Sequence, residues 1–278
     1  MDTWRLLITP PSRGAWNMAV DEALLEAVGR DDSLPALRLY AWQPPCLSLG
    51  YAQPFFDVDI PRLKERGWEL VRRPTGGRAI LHTDELTYSV IAPVHEPRLA
   101  GALLDSYNRL AGALLAALRL LGLSVEMQER SAASRAGNIN PVCFEVSSSY
   151  EITVGGKKLV GSAQARRKEG ILQHGSLPLS GDLGRITQAL AFPDEAARAR
   201  AAERLLARAA TVESVLGRPV AWEEAVQAFT AAFCEALDLD LQPLDLTRAE
   251  KERSEELVKS KYTHPLWTER ATGFKTEG

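Results

Sequence analysis

Three stretches of the chain carry side chains able to do chemistry. One is Cys143, in Pro141-Val142-Cys143-Phe144-Glu145 at the end of a polar loop and close in sequence to Lys157 and Lys158. A thiol attacks as thiolate, and a neighbouring ammonium lowers its pKa and raises the reactive fraction. The competing reading of a lone cysteine is a small buried hydrophobe. That reading suits Cys46, in a strand-like apolar run, and Cys234, on a helix face near Phe229 and Phe233. The second stretch is Arg72-Arg73-Pro74-Thr75-Gly76-Gly77-Arg78. Adjacent glycines admit positive φ and let backbone N–H groups approach an anion closely. With arginines on both sides, this is either a pocket for phosphate, carboxylate or a thioester carbonyl, or a hairpin with solvated arginines. The third stretch is Lys157 to Gln164. Strand alternation sends Lys157 and Lys158 to opposite faces, so only one can reach a shared pocket. Gly161-Ser162-Ala163 keeps that strand thin, as happens where a ligand or another backbone comes close, although a bulge explains a strand glycine equally well. The histidines, His82, His95, His174 and His264, lack HxxxH or HxxE spacing, so no metal site is expected, and His82 and His174 read as structural.

These residues need elements to hold them. Apolar residues at helical spacing predict an amphipathic helix over 17–28 with Asn17 as its N-cap, and a long helix over 99–122 closed by Gly122. Alternating or β-branched runs predict two strands within 36–51 and further strands over 69–72, 78–82 and 86–92. Gly155-Gly156 is a two-residue connection of the kind that closes a hairpin, here between 150–154 and 157–164, with another strand over 170–179. Arg130 to Asn140 reads as a loop delivering the chain to Cys143. Beyond Asp182, runs rich in Ala, Arg, Leu and Glu predict helices over 182–191, 194–210, 222–237 and 247–261. Helix, strands, helix, strands and helices in that order define an α/β (α+β) class with a mixed β-sheet packed by helices.

Composition narrows the function. With 278 residues, 45% hydrophobic and 25% charged, the chain is long enough for a sizeable core. Its 33 Lys+Arg against 36 Asp+Glu leave a formal charge of -3, so nothing attracts nucleic acid or anionic membrane non-specifically, and neither is expected as a partner. The longest apolar stretch falls short of the roughly 20 residues that span a bilayer. The first residues lack the apolar segment of a secretory signal, which points to the cytoplasm. Three widely spaced cysteines argue against a disulfide framework or a CxxC site. Neither GxxxxGK[ST] nor GxGxxG is present.

Taken in order, Arg72-Arg-Pro-Thr-Gly-Gly-Arg-Ala-Ile-Leu-His82, Glu85-Leu-Thr-Tyr-Ser-Val90, Cys143-Phe-Glu145 and Lys158-Leu-Val-Gly-Ser-Ala-Gln164 resemble the biotin/lipoate protein ligase superfamily, and within it the LipM-type octanoyltransferases. The resemblance runs from Asn17 to about Leu179 and more loosely onward through Lys261-Tyr262 and Trp267. It implies a ligase-like catalytic domain over 1–240 with a helical extension over 241–278. It also implies transfer of octanoate from octanoyl-acyl carrier protein to a lysine of a lipoyl domain, that of the glycine cleavage H protein. By the same likeness Cys143 forms an acyl thioester and Lys158 lowers its pKa, while Arg73, Gly76, Gly77 and His82 line the acyl and carbonyl pocket. Gly161 and Ser162 join them as candidate substrate contacts.

The physics of that reaction is consistent with the residues. The donor is already activated, so a thiolate, an oxyanion site and a dry channel suffice, and no ATP or cofactor is required. An apolar chain of eight carbons favours a tunnel between sheet and helix, at about 0.8 kcal/mol per buried methylene. Arg166, Arg167 and Lys168 are a candidate basic patch for an acidic carrier, or else a solvated turn. Two alternatives stay within the superfamily. One is an ATP-dependent lipoate ligase in which Lys158 meets the adenylate, a group that usually carries an Asn-Asp element where this chain has Pro141-Val-Cys-Phe-Glu145. The other is an octanoyl amidotransferase acting between lipoyl domains, whose Gly-Gly loop tends to lack the Thr75 and His82 pattern.

Overall fold

The computed structural model describes residues 1–129 and 150–270; Cys143 and the expected loop Arg130–Asn140 lie outside the described residues. In chain order the elements are β1 (Asp2–Ile8), α1 (Gly14–Gly29), β2 (Ala36–Tyr40), β3 (Cys46–Leu49), α2 (Ile60–Glu65), β4 (Glu69–Arg72), β5 (Ile80–His82), β6 (Glu85–Ala92) and α3 (Leu103–Leu120). There follow β7 (Glu126–Glu129), β8 (Tyr150–Val154), β9 (Lys157–Arg166), β10 (Ile171–Pro178), α4 (Glu195–Arg208), α5 (Val212–Leu216), α6 (Trp222–Leu237), β11 (Leu239–Pro243), α7 (Arg248–Leu257) and α8 (Pro265–Thr268). Among the described residues these strands build an eight-stranded sheet, β11-β1-β2-β6-β10-β9-β8-β7, and a three-stranded sheet, β4-β3-β5. The large sheet is mixed: β11, β1 and β2 run parallel, and the remaining neighbours are antiparallel. The expected mixed sheet packed by helices is therefore what forms.

Each face of the large sheet has its own core. On one side α3 and α6 bring Leu110, Leu114, Phe229 and Phe233 against Trp4, Leu39, Tyr88 and Val90. On the other, α1 sets Val20, Leu24 and Leu25 on Ile91 and Leu172. Its N-terminal half, at Met18 and Ala19, packs with Tyr40, Trp42, Cys46 and Val71, joining the small sheet to the large one.

Position in these layers explains where the sequence reading fails. α1 is not the amphipathic helix its spacing suggests, because it lies between the large sheet on one side and α7 and the small sheet on the other, and buries Asn17, Asp21 and Glu22 along with its apolar residues. Asn17 lies inside the helix instead of capping it: Arg13 holds the N-cap position, and the Asn17 amide donates to the carbonyls of Ser12 and Ala41. Over 182–191 the chain forms a 3-10 helix, Leu183–Gln188, because Asp182 caps Gly184 and the next residues bridge to Val58 of the small-sheet layer. α7 stops at Leu257 and continues as one wide π turn to Tyr262. The range 241–278 opens inside β11, and within it α7 lies on α1 while α8 lies against β4. No helix of the described residues is long and apolar enough to cross a membrane.

Candidate active site

The Arg-Arg-Pro-Thr-Gly-Gly loop leaves β4 and returns as β5, on either side of β3. Gly77 needs its glycine because its φ is 91°, and Gly50 needs its own because a Cβ there would run into the Gly77 carbonyl. The two arginines are engaged by the protein. Arg72 is fully buried and donates to the carbonyls of Gly50 (2.8 Å), Gln53 (2.6 Å), Trp267 (3.1 Å) and Thr268 (2.9 Å), while the Trp267 indole donates back to the Arg72 carbonyl at 2.9 Å. Burial, and then the charges of Arg270 and Arg73, push its pKa down to about 10. Arg73 closes the loop on itself, donating to Gly76 O and Arg78 O (2.8 Å each) and to the carbonyl and hydroxyl of Ser48 (3.1 Å each). The picture of solvated arginines flanking the glycines is thus replaced by two guanidiniums that set the loop's shape.

Two carboxylate–imidazole–hydroxyl chains run behind this loop. In the first, Glu85 Oε1 accepts from His82 Nδ1–H at 2.6 Å, which leaves Nε2 to accept from the Ser48 hydroxyl at 2.8 Å. Ser48 Oγ meanwhile accepts from Arg73, and the His82 ring stacks on Trp42 with centroids 3.9 Å apart. In the second, Asp21 Oδ2 accepts from His174 Nδ1–H at 3.3 Å, and His174 Nε2 accepts from Thr75 Oγ1–H at 2.6 Å. Asp21 also accepts from Arg38 (2.7 Å), Tyr40 (3.0 Å) and Ser89 (2.8 Å). Burial works to raise both carboxyls, but Arg38 and His174 hold Asp21 below its ordinary range, and His82 does the same for Glu85. Burial pushes the His174 imidazole down despite Asp21, so it stays neutral.

In front of these chains lies a narrow cleft with only ≈ 20 Å³ of free space, about the room a water molecule needs, so its walls must part to admit anything larger. Its walls include Met18, Trp42, Ile80, His82, Arg73 and the Gly161-Ser162-Ala163 segment of β9. Opposite that segment β10 carries Gly175, where a Cβ would stand 2.5 Å from the Tyr88 ring and 2.7 Å from Ser162 Oγ, so only glycine allows β9 and β10 to approach here. Most polar groups around the cleft bond to one another, the buried Ser176 hydroxyl being left without a partner among the described residues, so what they present to a ligand is mainly an apolar slot. Such a lining suits a hydrocarbon tail.

Of the residues expected from sequence, Arg73, His82, Gly161 and Ser162 meet at this cleft. Gly76 and Gly77 are exposed at the loop tip, held to Arg73 through the Gly76 carbonyl. Lys158 is buried in β9, three residues before Gly161, and its carbonyl accepts from Ala210 N–H at 3.0 Å; Lys157 faces out, as alternation requires. Cys46 is fully buried with its thiol pKa pushed up by burial, which fits packing; Cys234 is half-buried on α6. The basic patch at 166–168 is largely engaged: Arg166 donates to Leu99 O, Gly101 O and Ser106 Oγ at 2.8 Å, and Arg167 reaches Glu22 at 3.5 Å. Sequence reasoning missed Asp21, Arg38 and Ser48. The available signal was charge where a buried pattern wants none: Arg38 between Leu37 and Leu39, and Asp21 amid the apolar residues of α1.

Residues 13–234 match the lipoyl protein ligase A/B catalytic domain, which gives the class that this fold and cleft define. Solved structures agree. A bipartite lipoate protein ligase from Thermoplasma acidophilum superposes with a TM-score of 0.79 at 26% identity, covering 97% of each chain. A lipoate-protein ligase A bound with ATP superposes at 0.78 and 27%, covering 97% of this chain and 99% of that one. Among curated proteins, octanoyltransferase LipM of Moorella thermoacetica is 43% identical over 97% of this chain and 98% of its own length, and that of Symbiobacterium thermophilum is 40% identical over 96% and 98%. The chain belongs to the lipoyl protein ligase A/B catalytic family and, with these full-length relatives, to its octanoyltransferase LipM group.

Proposed function

We propose that this acyltransferase moves an octanoyl group from octanoyl-acyl carrier protein to a lysine of a lipoyl domain, with Cys143 as the relay and without ATP. In the first half-reaction the Cys143 thiolate attacks the donor's thioester carbonyl, a new C–S bond forms, and the carrier's thiolate leaves. In the second, the acceptor lysine, as free amine, attacks the enzyme thioester, the C–N bond forms, the C–S bond breaks, the amine proton passes to solvent water, and the Cys143 thiolate is released. Lys158 stabilises that thiolate as a cation. Arg73 holds the Gly76-Gly77 loop, His82 and Ser48 brace its base, and Gly161 and Ser162 floor the slot that takes the hydrocarbon tail. The observation that carries this reading is the apolar cleft with most of its polar groups bonded to one another, in a chain matched over 96–97% of its length by octanoyltransferases.

A second reading, an ATP-dependent lipoate ligase, is favoured by the likeness to the ATP-bound ligase structure. One experiment separates them: intact-protein mass spectrometry after mixing with octanoyl-acyl carrier protein and no ATP. A thioester-labile octanoyl adduct on wild type and none on Cys143→Ala is expected. Octanoylation of a lipoyl domain only with free octanoate and ATP would overturn the transferase in favour of the ligase.

A further inference from the structure

One hydroxyl in the wall of the cleft is left over when its neighbours have been matched. Ser48 donates to His82, Thr87 to Glu85 and Tyr40 to Asp21. Ser176 also lines the cleft and is 1% exposed, but among the described residues its Oγ has no hydrogen-bond partner. Burial raises the Glu85 carboxyl, His82 lowers it, and the nearby Ser176 hydroxyl adds to the lowering from beyond hydrogen-bonding distance. A buried hydroxyl left unpaired costs free energy, so one that faces a substrate cleft calls for a group that completes it.

The strand register identifies that group. Ser176 in β10 stands opposite Gly161 in β9, and His174 stands opposite Ala163. Residues opposed in this way share a face of the sheet, and Gly161 has no side chain with which to cover the hydroxyl. Ala163 forms the next rung on that face, about 6.7 Å along the strand. Lys158 lies on the other side of Gly161, three residues back. Along β9 the order is therefore the cation, the open rung, and then the apolar wall. An octanoyl thioester carries its polar atoms at one end only. Methylenes laid over Ser176 would leave its hydroxyl buried and unpaired, whereas the carbonyl oxygen accepts from it.

We propose that Ser176 is a catalytic residue whose hydroxyl donates to the acyl carbonyl oxygen, setting the carbonyl at the Ser176–Gly161 rung and the tail past Ala163. The inference rests on the acyl transfer proposed above and assigns a residue to its oxyanion site. Attack by the Cys143 thiolate or by the acceptor amine puts negative charge on that oxygen, and the hydrogen bond from Ser176 strengthens as the charge grows. The charge returns to the C=O bond as the C–S bond breaks, and Ser176 keeps its own proton throughout.

The test is S176A, given octanoyl-acyl carrier protein labelled with carbon-13 at the carbonyl and no ATP. Because the hydroxyl has no partner to lose, the melting temperature is expected to be unchanged. Single-turnover rates of both half-reactions are expected to fall about a hundredfold. The infrared C=O band of the Cys143 thioester is expected at higher wavenumber than in wild type, since a carbonyl that loses a donor regains double-bond character. Should S176A fail to fold, S176C, whose thiol is a weaker donor, is expected to move the band the same way. A band that stays in place in the folded variant overturns the assignment. So does slowing confined to the second half-reaction, which would make Ser176 a holder of the acceptor amine. No thioester adduct on wild type would instead overturn the Cys143 transfer reading, and this assignment with it.

Discussion

At the scale of single residues, the cleft is shaped by side chains that bond to one another and leave an apolar slot, so its selectivity should respond to volume. Ala163 lines the slot from β9. Ala163→Leu adds bulk where a hydrocarbon tail would lie. It is expected to lower kcat/KM for an octanoyl thioester at least tenfold while sparing a butanoyl thioester, since one methylene is worth about 1–3 kcal/mol in such a pocket. Equal losses for both would count against the slot as the acyl site. The imidazole behind the slot makes a second prediction. The unfolded imidazole takes up a proton near 6.5, whereas buried His174 resists it to lower pH. Between those values the unfolded state binds more protons, so stability is complete above 6.5 and falls as pH falls through the lowered folded value. Asp21 and Glu85 act at lower pH, their contributions being present above the ordinary 3.8 and 4.5 and lost as pH falls through their depressed values. Thermal melts against pH should therefore show His174→Asn with a flatter slope just below 6.5 and a smaller carboxylate limb, since Asp21 loses one of the partners that depress its pKa. A wild-type slope in the variant would mean that another group supplies it.

At the scale of elements, the Gly-Gly loop is braced from a distance of nearly 200 residues. Arg72 spends its donors on carbonyls contributed partly by α8, and Trp267 returns the bond while packing edge-on against Tyr51 and Tyr262. Trp267→Ala removes the indole donor and leaves a gap beside the loop. A loss of about 2 kcal/mol is expected, less than the 3–5 of a fully buried aromatic because Trp267 is half-buried. Octanoyl transfer should fall in kcat as the loop loosens. Denaturant unfolding and single-turnover rates check both, and unchanged kcat would confine the brace to stability. The elements themselves were largely readable, since β4, α6 and the Gly155-Gly156 hairpin follow from local pattern and turn chemistry. β1 and β11 were not, because each becomes a strand by lying parallel to a partner far away in sequence, Asp2 opposite Leu239.

At the scale of the whole molecule, the first and last parts of the chain are locked together. Arg5 in β1 and Glu250 in α7 form a buried two-pronged ion pair at 2.5 and 3.0 Å. Glu250→Gln leaves the Arg5 charge buried without its counter-ion, and a loss of about 3 kcal/mol in unfolding free energy is expected with octanoyl transfer unaltered; a change under ~1 kcal/mol would show that water or Ser33 makes good the loss. What the sequence by itself determined was the class of fold, the loop and strand motifs, and the likeness that they carry together, because periodicity, glycine positions and reactive side chains are local properties. It could not tell an exposed charge from a buried one. Whether Arg72 and Arg73 greet an anion or close a loop, and whether Asp21 faces water or an imidazole, depends on which residues the two sheets and α1 bring within hydrogen-bonding reach. That was decided only by the tertiary structure, where burial makes an unpaired charge so costly that each finds its partners across the fold.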